Sequence, residues 1–402
     1  MIEEQVVINR TTTWILLLPL VCLYFILPLT AAAGKKGDQE EESKTIQTSG
    51  IDYFPEKTKI DYAEGFSVEY HESYKVVTVH EPWPHASASL RYLLVQNGTP
   101  RPEGYDDLIL VNIPVERVVT LSTTYLAYMD KLGVTDRIIG HDDFKYVCTP
   151  SVRRMIDEGK ITEVGEGSRV IVEFVIELEP DLIMTFHTGN EQDAYPKLIE
   201  AGLPVVINAE FLEKQPLAMA EWIKFIALFF NKEREAEELF GEIAYAYGKL
   251  RDRVTSLERR PTVLLGAPFQ GTWWMAGGKS YSARLIDHAG AEYLWEDNDN
   301  TGAIPLDMES VYARAADADF WINTGTWSRR EDALEHDIRF TEFRAYREGT
   351  MYNNNRQTNG YGGNDFWESG RANPHIVLAD LVAIFHPELL PDHNFVYYQN
   401  LK

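Results

Sequence analysis

The chain has 402 residues, enough for two or three domains at about 150 residues each. Hydrophobic residues make up 45% and charged residues 25%, a composition that folds rather than staying disordered. Lys and Arg number 38 against 62 Asp and Glu, for a net charge of -24. That excludes a nucleic-acid partner, because phosphate contacts need a basic surface; a cationic or metal-bearing ligand, or a partner with basic patches, stays open. The two cysteines, Cys22 and Cys148, are too few for a disulfide framework or a cysteine metal cluster.

From the N-terminus, Trp14 to Ala33 is an uncharged, mostly apolar run that ends in Ala31-Ala32-Ala33 and is followed by Gly34-Lys35-Lys36. Small residues at its end are what a signal peptidase reads, so residues 1–33 are expected to be a cleaved signal peptide or, failing cleavage, a membrane anchor. Leu20-Val21 before Cys22 are not the small residues a lipid-attachment site carries. The protein is therefore expected to be exported, to the periplasm or the outer face of the cytoplasmic membrane. Removal of the segment leaves Cys148 as a lone thiol, expected to be buried rather than reactive. Residues 34–59 begin polar and free of aromatics, and read as a flexible tether.

Residues 60–114 contain FSVEYH, KVVTVH, RYLLVQ and LILVNI, separated by Pro, Gly and Asn. They predict a small antiparallel β extension packed on the first lobe. From residue 115 strands and helices alternate. RVVTL (117–121), a helix over TYLAYMDKLG, DRIIG (136–140), a helix over VEFVIELE, DLIMTF (181–186) and LPVVINA (203–209) predict an N-terminal α/β lobe over 115–215 with a parallel sheet. Residues 216–260 carry no strand signal. Apolar residues at Ala236, Leu239, Phe240, Ile243, Ala244, Tyr247, Leu250, Val254 and Leu257 recur in steps of three and four, which predicts one long helix over 233–257. TVLLG (262–266) then restarts the alternation, giving a C-terminal lobe over 261–402. The halves repeat loosely: the unit starting at Glu173 has a counterpart starting at Glu309. The predicted fold is α/β, two Rossmann-like lobes with parallel sheets joined by one long α-helix.

In open parallel sheets ligands lie beyond the carboxyl ends of the strands. This singles out Ser122, Thr123, Thr124 and Tyr125, then His141, Asp142 and Asp143, then His187 and Glu210 in the first lobe. In the second it singles out Gln270, Trp273, Trp274, Trp327, Asn354, Arg356 and Trp367. Ser122 to Thr124 either meet an anionic group at a helix start or only cap it. Six of nine tryptophans lie after residue 260, and aromatics exposed in a cleft suit flat or apolar ligands; some of the six are expected to pack the lobe's own core. GTWWMAGGKS is not a phosphate loop, since six residues instead of four separate Gly271 from Gly278-Lys279-Ser280. No zinc-protease or nucleophile-elbow motif is present.

The segments STTYLAYMDKLG, VEFVIELEPDLIMT, the long helix, MESVYARAADADFWI and HIVLADLVAIFHPELL, in this order, resemble the substrate-binding proteins of ABC importers for iron–siderophore complexes, cobalamin and haem. The resemblance runs from about Ile113 to the C-terminus, and the extension before it and the loop 351–371 depart from the compact family pattern. It implies a ligand cleft between two lobes bridged by a rigid helix. It also implies two glutamates, matching Glu173 and Glu309, that dock on the permease subunits. The expected function is capture of a metal chelate, first of all a ferric siderophore, by a monomer without cofactor, catalysis or nucleic-acid partner, its only membrane contact residues 14–33 if uncleaved. The alternatives are a cobalamin or haem receptor, a zinc or manganese receptor using His141, Asp142, His187 and Glu210, and, less well supported, a chelatase-like enzyme.

Overall fold

The computed structural model describes residues 50–166 and 169–402. The expected signal or anchor segment and the tether up to residue 49 lie outside the described residues. The tether expected to reach residue 59 ends sooner: Phe54 is buried, and Thr58 donates to Glu237 at 2.6 Å. No helix among the described residues is long and apolar enough to cross a membrane.

The β extension holds β1 (Phe66–Tyr70), β2 (Tyr74–Val79), β3 (Leu90–Gln96) and β4 (Ile109–Ile113) in that spatial order. The first two pairings are antiparallel, as expected, but β4 runs parallel to β3. A long connection, residues 97–108, lets the chain return before pairing. Alternation along β2 sends Val77 and Val79 into the main core and Val76 to a smaller cluster on the other face. Lys75 shares the face of Val77 and Val79. It is fully buried and is held by Glu233, the Leu228 carbonyl (2.9 Å) and Asn231 (2.9 Å).

The first lobe runs β5 (Val118–Thr120), α1 (Thr123–Leu132), β6 (Ile138–His141), α2 (Pro150–Asp157), β7 (Thr162–Glu163), the hairpin β8 (Gly165–Glu166) and β9 (Arg169–Val170), α3 (Val172–Glu177), β10 (Leu182–Thr185), α4 (Ala194–Glu200) and β11 (Val205–Ile207). Its sheet has the order β11-β10-β5-β6-β7, all parallel. After β5 the chain adds strands on one side, then crosses to add β10 and β11 on the other. The switch point lies between β5 and β10.

The predicted helical region is two helices with different roles. In α5 (Pro216–Leu228) every residue is buried, because it is enclosed by α1, by the bridging helix that follows it, by helices of the second lobe and by the β extension, with Trp222 against Phe66 at 4.8 Å. The bridge is α6 (Glu233–Thr255), 23 residues long, whose buried Ala236, Phe240, Ile243, Tyr247 and Val254 follow helical spacing. It packs on α5 from the first half of the chain and on α11 (Pro374–Phe385) from the second.

The second lobe continues with β12 (Thr262–Leu265), β13 (Pro268–Phe269), β14 (Thr272–Ala276), α7 (Tyr281–His288), β15 (Glu292–Tyr293), β16 (Ala303–Leu306), α8 (Met308–Ala315), β17 (Phe320–Ile322), α9 (Arg344–Glu348), β18 (Met351–Asn353), α10 (Ser369–Ala372), then α11 and β19 (Gln399–Asn400). Its main sheet has the order β15-β12-β17-β18-β19, parallel except for the last pair, so its switch point lies between β12 and β17. A separate antiparallel sheet, β13-β14-β16, carries the tryptophan pair. The false phosphate loop ends against a neighbouring chain segment. A Cβ on Gly277 would stand 2.2 Å from the Asn300 carbonyl oxygen, so glycine there permits close packing of backbone.

Candidate ligand-binding cleft

Both switch points open onto the same cavity. Ser122 follows β5, Phe186 follows β10, Gly266 follows β12 and Asn323 follows β17, and all four line a space of about 720 Å³ between the lobes. The carboxyl end of a switch-point strand is where neighbouring connections diverge and leave a crevice. Two such crevices facing each other make a cleft of drug-sized volume. A second chamber of about 360 Å³ shares Ser122, Phe186 and Trp367 with the first and adds Thr124, Tyr125, Glu210, Phe211, Tyr281 and Arg371.

The first lobe supplies Ser122 and Thr123 at the start of α1, together with Asp142, Asp143 and Tyr146. The Ser122 hydroxyl does not cap its own helix; it lies 2.9 Å from the Thr124 hydroxyl, which donates to Glu210 at 2.6 Å. Burial raises the Asp142 carboxyl to about 6 and the Glu210 carboxyl to about 7. The second oxygen of Glu210, Oε2, is buried with no partner. The second lobe supplies Trp274 and Trp367, 53% and 48% exposed, with Asn323, Asn354 and Asn364. Arg371 is already engaged: its guanidinium lies 4.5 Å from the Tyr281 ring centre and 4.8 Å from that of Trp367.

A strap closes one side. The segment after β18 crosses to the first lobe, where Asn359 donates to the Lys145 (2.7 Å) and Val147 (2.9 Å) carbonyls. Glu368, 1% exposed, accepts from the Cys148 and Thr149 amides at 2.7 Å each and from the Thr149 hydroxyl. The unusual loop 351–371 is thus an interlobe tie as well as a cleft wall.

Of the sequence candidates, Ser122, Thr123, Thr124, Tyr125, Asp142, Asp143, Glu210, Trp274, Asn354 and Trp367 line the two chambers. The others do not. Trp273 is 1% exposed and donates to the Leu265 carbonyl at 2.8 Å, because successive residues of β14 point to opposite faces and only Trp274 takes the cleft side. Trp327 packs on Trp321 and Phe340 within the lobe. His187 sits 4.7 Å from the Trp83 ring and 2.8 Å from Asp193, where it anchors the extension. Gln270 forms the exposed tip of the β13–β14 hairpin with φ of 50°, and Arg356 is exposed outside the cleft.

The proposed metal set His141, Asp142, His187 and Glu210 does not assemble. His141 is fully buried against the Thr120 hydroxyl at 2.9 Å, and burial holds its pKa down to about 3. Among the described residues the group able to hold a metal is instead Cys148, Asp365 and Glu368. There the Glu368 oxygens are already occupied by the strap contacts, and burial pushes the Cys148 thiol up to about 12. Tyr146, Phe186, Phe211, Asn323, Tyr281 and Arg371 were missed. Phe186 and Asn323 each directly follow a strand, so the rule that found Ser122 also reaches them; Arg371 has no local signal.

Both Glu173 and Glu309 are exposed in the first turn of their helices, α3 and α8. Glu309 accepts from Arg339 at 3.1 Å, whereas Glu173 has no ion-pair partner among the described residues and is bordered by exposed Ile171, Phe174 and Ile176.

Two α/β lobes that turn their switch points toward one cavity and share a bridging helix have the architecture of a solute-binding protein. The periplasmic binding protein family matches residues 118–357, and the chain belongs to that family. Two proteins of Methanocaldococcus jannaschii, each named an uncharacterized lipoprotein, are 26% identical to it. One aligns over 70% of this chain and 68% of the relative, the other over 85% and 87%. The crystal structure of a periplasmic heme binding protein from Pseudomonas aeruginosa shares the fold at a TM-score of 0.54 and 18% identity, over 72% of this chain and 98% of that one.

Proposed function

We propose that the protein is an extracytoplasmic receptor that captures a metal chelate, a ferric siderophore first among the candidates, and delivers it unchanged to an ABC importer. The observation carrying this reading is the convergence of both switch points on one cavity of about 720 Å³ whose walls expose Trp274, Trp367, Phe186 and Tyr146. That volume suits a compact chelate, and the aromatic faces supply contact area without fixing stereochemistry. Delivery uses Glu173 and Glu309, one carboxylate on each lobe, as two separated points that orient the receptor on a basic permease surface. The two lipoprotein relatives are consistent with attachment to the outer face of a membrane. The protein acts as a monomer, since each lobe of one chain supplies a cleft wall.

Thermal-shift measurement against ferric chelates, cobalamin and haemin tests the receptor role. A ligand at 100 times its Kd stabilises the fold by about 2.7 kcal/mol. Absence of a shift with every chelate sinks the reading.

A further inference from the structure

The cleft walls also carry a charge and hydrogen-bond pattern that selects among chelates. This inference rests on the receptor reading above. The carboxyl side chains lining the two chambers are Asp142, Asp143 and Glu210, against the single cationic side chain of Arg371. That guanidinium is stacked between Tyr281 and Trp367, so it is held by the wall. Lys145 does not line the cavity; it is exposed, with its ammonium 5.1 Å from the ring of Tyr146, which does. A chelate with several negative charges would bring them toward carboxyls with one cation in compensation, and at short range within a desolvated cleft like charges cost heavily.

Of the ten buried side-chain polar atoms without a partner among the described residues, three belong to cleft residues and bear on the complementary ligand. Asn323 Oδ1 and Asn354 Nδ2 on the second lobe, and Glu210 Oε2 on the first, are buried and unpaired, and each residue lines the cleft. Asn354 is 3% exposed and Glu210 4%. A buried polar atom without a partner is costly, so a site keeps one where a ligand completes it. An acceptor on Asn323 and a donor on Asn354 offer both halves of an amide's hydrogen-bonding pattern. Ser122 and Thr123, where α1 begins, face the cavity and add hydroxyl and amide donors for carbonyl oxygens.

We infer that the cleft takes a metal chelate of zero or positive net charge that presents amide or hydroxamate groups to Asn323 and Asn354, and that it rejects polyanionic chelates. Two ligand sources share this chemistry: a ferric trihydroxamate and a corrinoid bearing peripheral carboxamides.

The test is calorimetric titration of the full chain at neutral pH with four probes: a cationic ferric linear trihydroxamate, cyanocobalamin, a trianionic ferric tricatecholate and haemin. The trihydroxamate or cyanocobalamin is expected to bind at least about 100-fold more tightly than the tricatecholate and haemin, and the preferred one identifies the source. Asn354→Asp, which replaces the donor amide by a carboxyl of the same shape, is expected to weaken the preferred ligand about 10- to 100-fold and, because the site is 3% exposed, to lower the melting temperature as well; circular dichroism at the titration temperature checks that the variant is folded. The double variant Asp142→Asn, Glu210→Gln is expected to narrow the gap by strengthening tricatecholate binding. Tightest binding of the tricatecholate or haemin overturns the selectivity and leaves the receptor role standing. Tight binding of the trihydroxamate that Asn354→Asp does not alter overturns the amide contact. Failure of all four to bind overturns the receptor reading itself.

Discussion

Two regions of the molecule bury polar groups in opposite ways. At the seam between the β extension and α5–α6, buried charges are matched. Lys75 meets Glu233, Lys224 meets Glu221 at 3.0 Å, and Glu221 also accepts from the Asp61, Tyr62 and Ala63 amides. Glu213 likewise accepts from the Glu64 and Gly65 amides and the Trp222 indole. In the cleft, Glu210, Asn323 and Asn354 each leave a buried atom unpaired. The charges at the seam are completed within the chain and hold the extension in place; the cleft leaves three buried polar atoms uncompleted, which the proposed ligand would complete.

The sharpest way to break that contrast is at the seam. Lys75→Ala leaves Glu233 buried without its cation and is expected to cost about 3–5 kcal/mol in denaturant unfolding. Replacing both by apolar residues of similar volume should recover most of the loss, and an equal loss in the double variant would show that packing, not charge pairing, holds the seam. The cleft counterpart is Trp274→Ala with Trp367→Ala. Both indoles are about half exposed, so melting should barely change while chelate affinity falls about 100-fold by tryptophan-independent calorimetry. A large drop in melting temperature would instead make these indoles structural.

The same difference between engaged and free charge recurs at the outer corners. Arg339 already engages Glu309, whereas Glu173 stands free among the described residues beside exposed Ile171, Phe174 and Ile176. Glu173→Ala is therefore expected to reduce receptor-stimulated ATPase of the reconstituted transporter more than Glu309→Ala, with ligand affinity unaffected in both. Equal effects would show that Arg339 gives way on docking. The smallest effect is a pH slope. Burial raises the Glu210 carboxyl from 4.5 to about 7. Its contribution to the stability of the ligand-free fold is fully present below about 4.5 and is lost as pH rises through about 7. Glu210→Gln should flatten the melting-temperature profile across that window relative to the parent; identical profiles would mean that the carboxyl ionises without penalty.

Much of the site is legible before folding because strand ends are legible. Ser122, Asp142 and Asn354 each stand just past a buried apolar run, and the helix predicted over 233–257 appears as Glu233–Thr255. Trp273 and Trp274 show where that rule stops. Adjacent tryptophans in a strand must diverge, but which one enters the core depends on the sheet that β14 joins, and that sheet is made with β13 and β16. His187 fails for a related reason: it stands past its strand as expected, but Trp83 comes from the extension to cover it. The early end of the tether depends on Phe54 and Thr58 finding Tyr70 and Glu237, partners that no local pattern announces.

By itself the sequence determined the alternation of strands and helices, the bridging helix and the acidic character of the chain, since periodicity and composition are local or additive properties. Tertiary structure decided which aromatic faces the cleft, how the strap of residues 351–371 ties the lobes, and which buried polar atoms go unpaired. Those depend on contacts between residues up to 220 positions apart, as between Cys148 and Glu368. Such pairs are chosen by the packing of sheets and helices against one another rather than by any neighbouring residue.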